Sequence, residues 1–274
     1  MKIPAIFLLC LMPVCVLRAA EAPVYAAEVI ASFEAPEARQ GVAVDGEFAY
    51  VINNANIIKL AKADGQVVMG WRSGGDAITH LDSGMVLDDT LYAAHSNYPE
   101  SPMVNSVEVR RAGNLNPVAS VPIAASLGSL TWLDRHDGAW WAGFGNYDII
   151  PEGQAGPYGG TDNTRVARLN DAFGIEQSWL LPRDLLPRMR PMSNSGGSWG
   201  DDGYLYLTGH DHPEIYVMVV PENGDELVWV ATVTVTGFNG QGIAWDRSGP
   251  DRELWGIIRA SSQILRIRMP AIAR

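Results

Sequence analysis

The stretch QGVAVDGEFAYV, residues 40–51, consists of two short apolar runs joined by an acidic, glycine-containing turn. Residues of that kind on either side of such a turn read as a β-hairpin. The same pattern returns in SGMVLDDTLYAA (83–94), SLTWLDRHDGAWWAG (129–143), GGSWGDDGYLYLTG (196–209) and QGIAWDRSGPDRELWG (241–256). A third strand follows each hairpin (NIIKLAK, NSVEVRR, TRVARLN, PEIYVMV, SQILRIR), and its matched apolar residues Ile58, Val107, Val166, Ile215 and Ile264 lie 49, 59, 49 and 49 residues apart. One insertion of about ten residues, between the second and third units, interrupts an otherwise constant period.

The first four units add a fourth strand (QVVMGW, PVASVPI, IEQSWLL, LVWVATVTV), whereas the fifth runs out of chain. A spare strand, VYAAEVIASF (24–33), stands before the first hairpin. An N-terminal strand that pairs with an incomplete last sheet hides its open edge. The expected fold is therefore all-β: a five-bladed β-propeller closed by residues 24–33, forming a single domain over residues 23–274. A six-bladed ring or a β-sandwich would also accommodate many short strands, but no sixth hairpin is present and sandwiches rarely keep so even a period. The segment PRDLLPRMR (182–190) is expected to supply one helical turn.

Residues 1–22 have an early lysine, an apolar run from Ile3 to Leu17 and small residues suited to cleavage, as in a secretory signal peptide. The run is shorter than the ~20 residues that span a bilayer. Cys10 and Cys15 both fall in this leader, so the processed protein would rely on its core instead of disulfides. The expected address is secreted or periplasmic, as a monomer with no membrane insertion after processing. A net charge of -11 argues against nucleic acid as a partner, since phosphate binding is dominated by Lys and Arg.

Strand direction alternates within a blade, so the ends of second strands and the starts of first and third strands share one rim. The long loops lie there: HSNYPESPMVNS, FGNYDIIPEGQAGPYGGTDNT and PRDLLPRMRPMSNSGGS. Long, unequal loops on one rim are where a propeller would hold a ligand. Asn53, His95, Phe144, His210 and Ile258 take equivalent places at the ends of second strands, and Asn97, Asn146 and His212 follow two residues later. His80, His95, His210 and His212 all fall on this rim; His136 falls opposite. Residues i and i+2 of an extended segment point the same way, so His210 and His212 form an H-x-H pair.

Three readings follow. The histidines are solvated loop residues; or His95, His210, His212 and His80, with Gln241 near them, hold one divalent ion (Mn, Zn or Ca); or one imidazole is a general base. His95, His210, Asp211, Tyr98 and Tyr147 are the candidate catalytic residues. Asn53, Asn97, Asn146, Arg188, Arg190, Asn194, Gln241 and Arg259 are the candidate substrate-binding residues. The G-x-S-x-G pattern GGSWG (196–200) would make Ser198 a nucleophile, but a strand follows it where that motif needs a helix. No nucleotide-binding fingerprint occurs. Trp132, Trp199 and Trp245 recur at similar points of the innermost strands and are expected to pack between blades.

The five Gly- and Asp-marked hairpins resemble secreted bacterial propellers of the broad NHL and SMP-30/gluconolactonase-like group. That resemblance implies the architecture and a range of roles: metal-dependent lactonase, lyase or binding protein. The expected function is an exported enzyme acting on a carbohydrate or small anionic substrate by metal- or His-assisted hydrolysis or β-elimination. The rival is a non-catalytic module that binds glycan or protein with the same loops.

Overall fold

The computed structural model describes residues 22–75, 77–150, 152–153, 159–210 and 212–273. The expected leader and the candidate Asp211 lie outside the described residues. The chain is a five-bladed β-propeller. Its innermost strands are Gly41–Val44, His80–Leu87, Ser129–His136, Gly196–Trp199 and Ile243–Asp246. Each blade is an antiparallel meander running outward from one of these.

Ring closure follows the expectation, with one correction. Residues 24–33 do not form a single strand in one blade. Glu28–Glu34 pairs antiparallel with Gln263–Arg268 as the outer strand of blade 5, and Val24–Ala26 pairs parallel with Val228–Thr234 as a fifth strand of blade 4. The division falls at Ala27, whose N–H bonds the Thr234 carbonyl at 2.9 Å. The N-terminal segment thus covers the edges of two neighbouring blades, and the Arg268–Glu28 ion pair joins the two ends of the chain.

The repeated acidic turn has a physical purpose. Asp45 Oδ1 accepts the N–H groups of Glu47 (2.8 Å) and Phe48 (2.7 Å), and Oδ2 accepts the Tyr50 hydroxyl (2.6 Å). Asp202 likewise takes the Tyr204 N–H and the Tyr206 hydroxyl, and Asp246 takes Ser248 and the Trp255 indole N–H. One carboxylate thus folds the turn and anchors an aromatic of the next strand, which explains why acid and aromatic recur together. Hydrogen bonds to charged groups are each worth about 1.5–3 kcal/mol. The apolar core lies between blades. Trp199 meets Trp141 and Trp179 between blades 3 and 4, and Trp245 stacks on Tyr206 between blades 4 and 5, with centroids 5.0 Å apart. The helical turn is Leu186–Met189, within the segment expected.

Glycines close the axis. A Cβ on Gly242 would lie 2.2 Å from Ser83 Oγ and 2.5 Å from Gly41 Cα. The innermost strands of blades 1, 2 and 5 therefore touch across the axis, and this plug separates two mouths. The mouth on the short-turn rim opens into a cavity of about 770 Å³ lined by Val44, Asp45, Lys59, Met85 and Trp245 among others. The largest cavity among those characterised is therefore on the rim opposite the one expected to bind ligand.

Candidate functional site

On the long-loop rim, His80 opens the innermost strand of blade 2 and pairs with Ser96 across the hairpin, while Leu81 pairs with His95. His210 ends the second strand of blade 4 and forms a bridge with Gly240 of blade 5. The rings of His80, Tyr98, Tyr147 and His210 follow one another at centroid distances of 5.5, 5.1 and 6.1 Å. Three blades thus contribute to one aromatic arc, and residues 130 positions apart in sequence meet at a common mouth. Arg259, immediately after the second strand of blade 5, faces the same space: its charge acts on both His80 and Asp82. It forms no ion pair among the described residues.

Hydrogen bonding sets the tautomers. Ser106 donates to Glu108 Oε1 (2.7 Å), so its oxygen is free to accept the Nδ1–H of His95 at 2.9 Å. His95 Nε2 carries the lone pair and accepts the Thr79 N–H at 3.4 Å. Burial lowers the His95 pKa, and the Glu108 charge opposes that shift. A neutral imidazole with a defined lone pair is the form a general base needs. His210 approaches the Ser193 carbonyl through Nδ1 (3.4 Å) and Ser195 Oγ through Nε2 (3.1 Å).

His80 donates from Nδ1 to Asn54 Oδ1 (3.0 Å), which also accepts from Gln40 Nε2 (2.8 Å). Its Nε2 lies 3.4 Å from Asp82 Oδ2, in contact but without hydrogen-bond alignment. Burial lowers the His80 pKa to about 4, helped by His95, Arg259 and His210, and raises the Asp82 carboxyl well above its usual range against the pull of Arg259. Both directions favour the uncharged forms, so a proton shared by this pair resides on Asp82.

Beneath this rim lie buried polar atoms that lack hydrogen-bond partners among the described residues: Asp82 Oδ2, Ser83 Oγ and Gln241 Nε2. They lie together, because Ser83 packs on Gly242 beside Gln241, and Gln241 Oε1 lies 3.2 Å from Ser195 Oγ, within reach of its hydroxyl. Each such group costs about 1–3 kcal/mol if nothing binds it.

Other sequence candidates are engaged in structural contacts. Asn53 donates to Glu37 (2.7 Å), and Asn97 ties its own loop together through Pro102 and Val104. Buried Asn146 donates to the Leu127 and Asn163 carbonyls. Asn194 is filled by the Trp132 indole N–H (2.6 Å) and the Gly196 and Thr208 carbonyls. Arg188 pairs with Glu214, and Arg190 with Asp148 and Asp162. Ser198 donates to Asp134 (2.8 Å) and accepts the Trp245 N–H (2.9 Å), which locks it between blades. His136 stacks on Trp199 at the opposite rim. Among the described residues no three His, Cys, Asp or Glu side chains are grouped to hold a metal ion, and His212 is exposed.

The residues that sequence reading missed are Gln40, Asp82, Ser83 and Ser195, near the starts of innermost strands, and Asn54, just past the second strand of blade 1. Only Asp82 carried a signal, as an acid inside the apolar run HLDSGMVL.

No protein-family model matches the chain, and no curated protein sequence matches it. Solved structures do. The chain is similar to the crystal structure of Myxococcus xanthus glutaminyl cyclase, with a TM-score of 0.60, 12% identity, and coverage of 92% of this chain and 100% of that one. It is also similar to luciferin-regenerating enzyme, with a TM-score of 0.52, 9% identity and coverage of 88% and 93%. At these identities the likeness establishes the shared propeller fold.

Proposed function

We propose that the long-loop mouth is the active site of an enzyme acting on a small, oxygen-rich anionic substrate, such as a sugar acid or its lactone, by His-assisted hydrolysis or β-elimination. The observation that supports this reading is the set of buried polar atoms without hydrogen-bond partners among the described residues, close to imidazoles that burial keeps neutral and to Arg259, which forms no ion pair among the described residues. Folded proteins satisfy nearly all buried polar groups, so such a cluster is suited to a polar ligand.

Each group has a role. Arg259 takes the carboxylate of the substrate, since a guanidinium matches that group with paired hydrogen bonds. His95 accepts a proton at Nε2, and the resulting imidazolium is stabilised through Ser106 by Glu108. Tyr98, whose pKa burial raises, keeps its proton and can donate it to developing negative charge. Proton transfer of this kind contributes typically 10²–10⁴-fold to rate. If a divalent ion takes part, the Nε2 lone pair of His95 is a ligand it would meet.

The wider resemblance to gluconolactonase-like propellers and the secreted or periplasmic address belong to the same proposal. N-terminal sequencing of the exported protein tests the address. The activity is tested by screening lactones and uronate oligomers with the wild type and His95→Gln, with and without chelator. Turnover that survives chelation and falls at least a hundredfold in His95→Gln is expected. Failure of every such compound to bind or react would overturn the reading and favour a glycan- or protein-binding module.

A further inference from the structure

We infer that Ser195 is a nucleophile, with His210 as its base and the Gln241 side chain as the hydrogen-bond donor to the oxyanion. The mouth then cleaves esters or lactones through an acyl-enzyme. This deepens the reading of the mouth as an active site and rests on it.

Ser195 Oγ lies 3.1 Å from His210 Nε2, within the range of a nucleophile–base pair. The Ser193 carbonyl can only accept, so the proton of His210 sits on Nδ1, and the Nε2 lone pair faces the serine. Ser195 has one hydroxyl proton and two acceptors near it, His210 Nε2 and Gln241 Oε1. Imidazole is by far the stronger base, so the proton is directed to His210.

Gln241 completes the arrangement. Its side chain is fully buried, its carboxamide lies beside Ser195 Oγ, and its Nε2 has no acceptor among the described residues. Its backbone is left-handed, with φ of 75°, which is uncommon for a residue other than glycine. The conformation is imposed by surrounding bonds: its N–H goes to the Gly209 carbonyl, its carbonyl takes the Thr208 hydroxyl, and the Gly242 N–H goes to Gln40. A strained residue with an unused amide beside a Ser–His pair is the kind of local cost that persists at reactive sites.

The chemistry balances. Ser195 Oγ bonds to the acyl carbon as His210 Nε2 takes the hydroxyl proton, and the carbonyl electron pair moves onto oxygen, where Gln241 Nε2–H donates to it. The C–O bond to the alcohol then breaks, and His210 returns the proton to that oxygen. Water, deprotonated by His210, attacks the acyl-serine; the C–Oγ bond breaks, His210 returns the proton to Ser195 Oγ, and the acid leaves. Arg259, facing the same mouth, selects acyl groups that carry a carboxylate. The sequence motif pointed three residues downstream, to Ser198, which has no histidine beside it and is bonded to Asp134.

The test is labelling of the intact protein with a fluorophosphonate probe, read by intact mass and peptide mapping. A single adduct on Ser195 is expected. It should be absent in Ser195→Ala and form at least tenfold more slowly in His210→Gln and Gln241→Ala. Thermal melting of each variant separates loss of reactivity from loss of fold. A wild type that turns over lactones but takes no label at Ser195, with turnover unchanged in Ser195→Ala, would overturn the nucleophile and leave the wider reading of the mouth standing. Labelling of Ser195 that His210→Gln and Gln241→Ala do not slow would overturn the assigned base and oxyanion donor.

Discussion

The two mouths of the propeller differ in a way that their sizes conceal. The short-turn mouth holds the cavity of about 770 Å³, yet the principal charged groups in its walls are engaged with the protein itself. Asp45 and Asp246 clamp hairpins, Arg247 pairs with Asp134, and Lys59 bonds the Ala112 carbonyl while lying 3.8 Å over the Phe48 ring. On the long-loop side Asp82 Oδ2, Ser83 Oγ and Gln241 Nε2 have no hydrogen-bond partner among the described residues and Arg259 has no carboxylate, whereas in the lining of the larger cavity Trp245 Nε1 is the one such buried atom among the described residues. Volume marks where blades splay apart. Unsatisfied polarity marks where a ligand would lower the free energy.

The sharpest way to break this contrast is to substitute one residue at each mouth. His95→Gln should lower kcat by about 10²–10⁴-fold, and Arg259→Met should act mainly by raising KM. Asp88→Asn, on the lip of the larger cavity, should leave kcat/KM within about twofold. Equal losses at both mouths, measured by steady-state kinetics, would remove the distinction.

The plug between the mouths should come next in size. Gly242→Ala forces a methyl group to 2.2 Å from Ser83 Oγ and 2.5 Å from the Gly41 backbone, which has little room to retreat. Overpacking of this kind costs about 1–3 kcal/mol. Urea denaturation should show the loss, and unchanged stability would mean that the axis is not closed as described.

Titration sharpens the account of the long-loop mouth. The folded His80 pKa is about 4, below the usual 6.5, so its contribution to stability is intact above pH 6.5 and lost as pH falls toward 4. The full span corresponds to about 3 kcal/mol. Asp82, raised by burial, has the opposite slope, contributing stability at low pH that is lost as pH rises through its folded pKa; His95, His210 and Arg259 also face His80. The wild type should therefore lose stability relative to His80→Gln between pH 6.5 and 4, measured by denaturation of both proteins at each pH. A pH-independent difference would mean that His80 titrates normally.

The smallest effect belongs to the hairpin clamps. Tyr50→Phe removes one hydroxyl bonded to Asp45, and should cost about 1–2 kcal/mol in stability with no change in activity.

Much of the fold was legible in the sequence, because the hairpin pattern repeats in every blade and three of the five blades show an acid at the turn holding an aromatic of the next strand. The split of residues 24–33 was not. VYAAEVIASF has no residue that marks a break at Ala27; the break comes from the gap between two blade edges, which exists only in the closed ring. Aligning strand ends put His80, His95 and His210 on one rim, but the ring-to-ring arc that joins His80 to His210 through Tyr98 and Tyr147 needs the folded loops. Arg188, Arg190 and Asn194 are held by Glu214, Asp148 and Trp132, partners distant in sequence that no spacing announces. Ser195 was hidden for the converse reason: a small polar residue before an innermost strand looks like any turn until folding brings His210 within 3.1 Å.

The most direct test is a crystal structure of the protein soaked with a uronate or an aldonolactone. Density against Arg259, Gln241 and His95 at the long-loop mouth, with the larger cavity holding only solvent, is the expected result. A ligand seated instead among Val44, Met85 and Trp245, beyond the glycine plug, would contradict the assignment of function to the long-loop mouth.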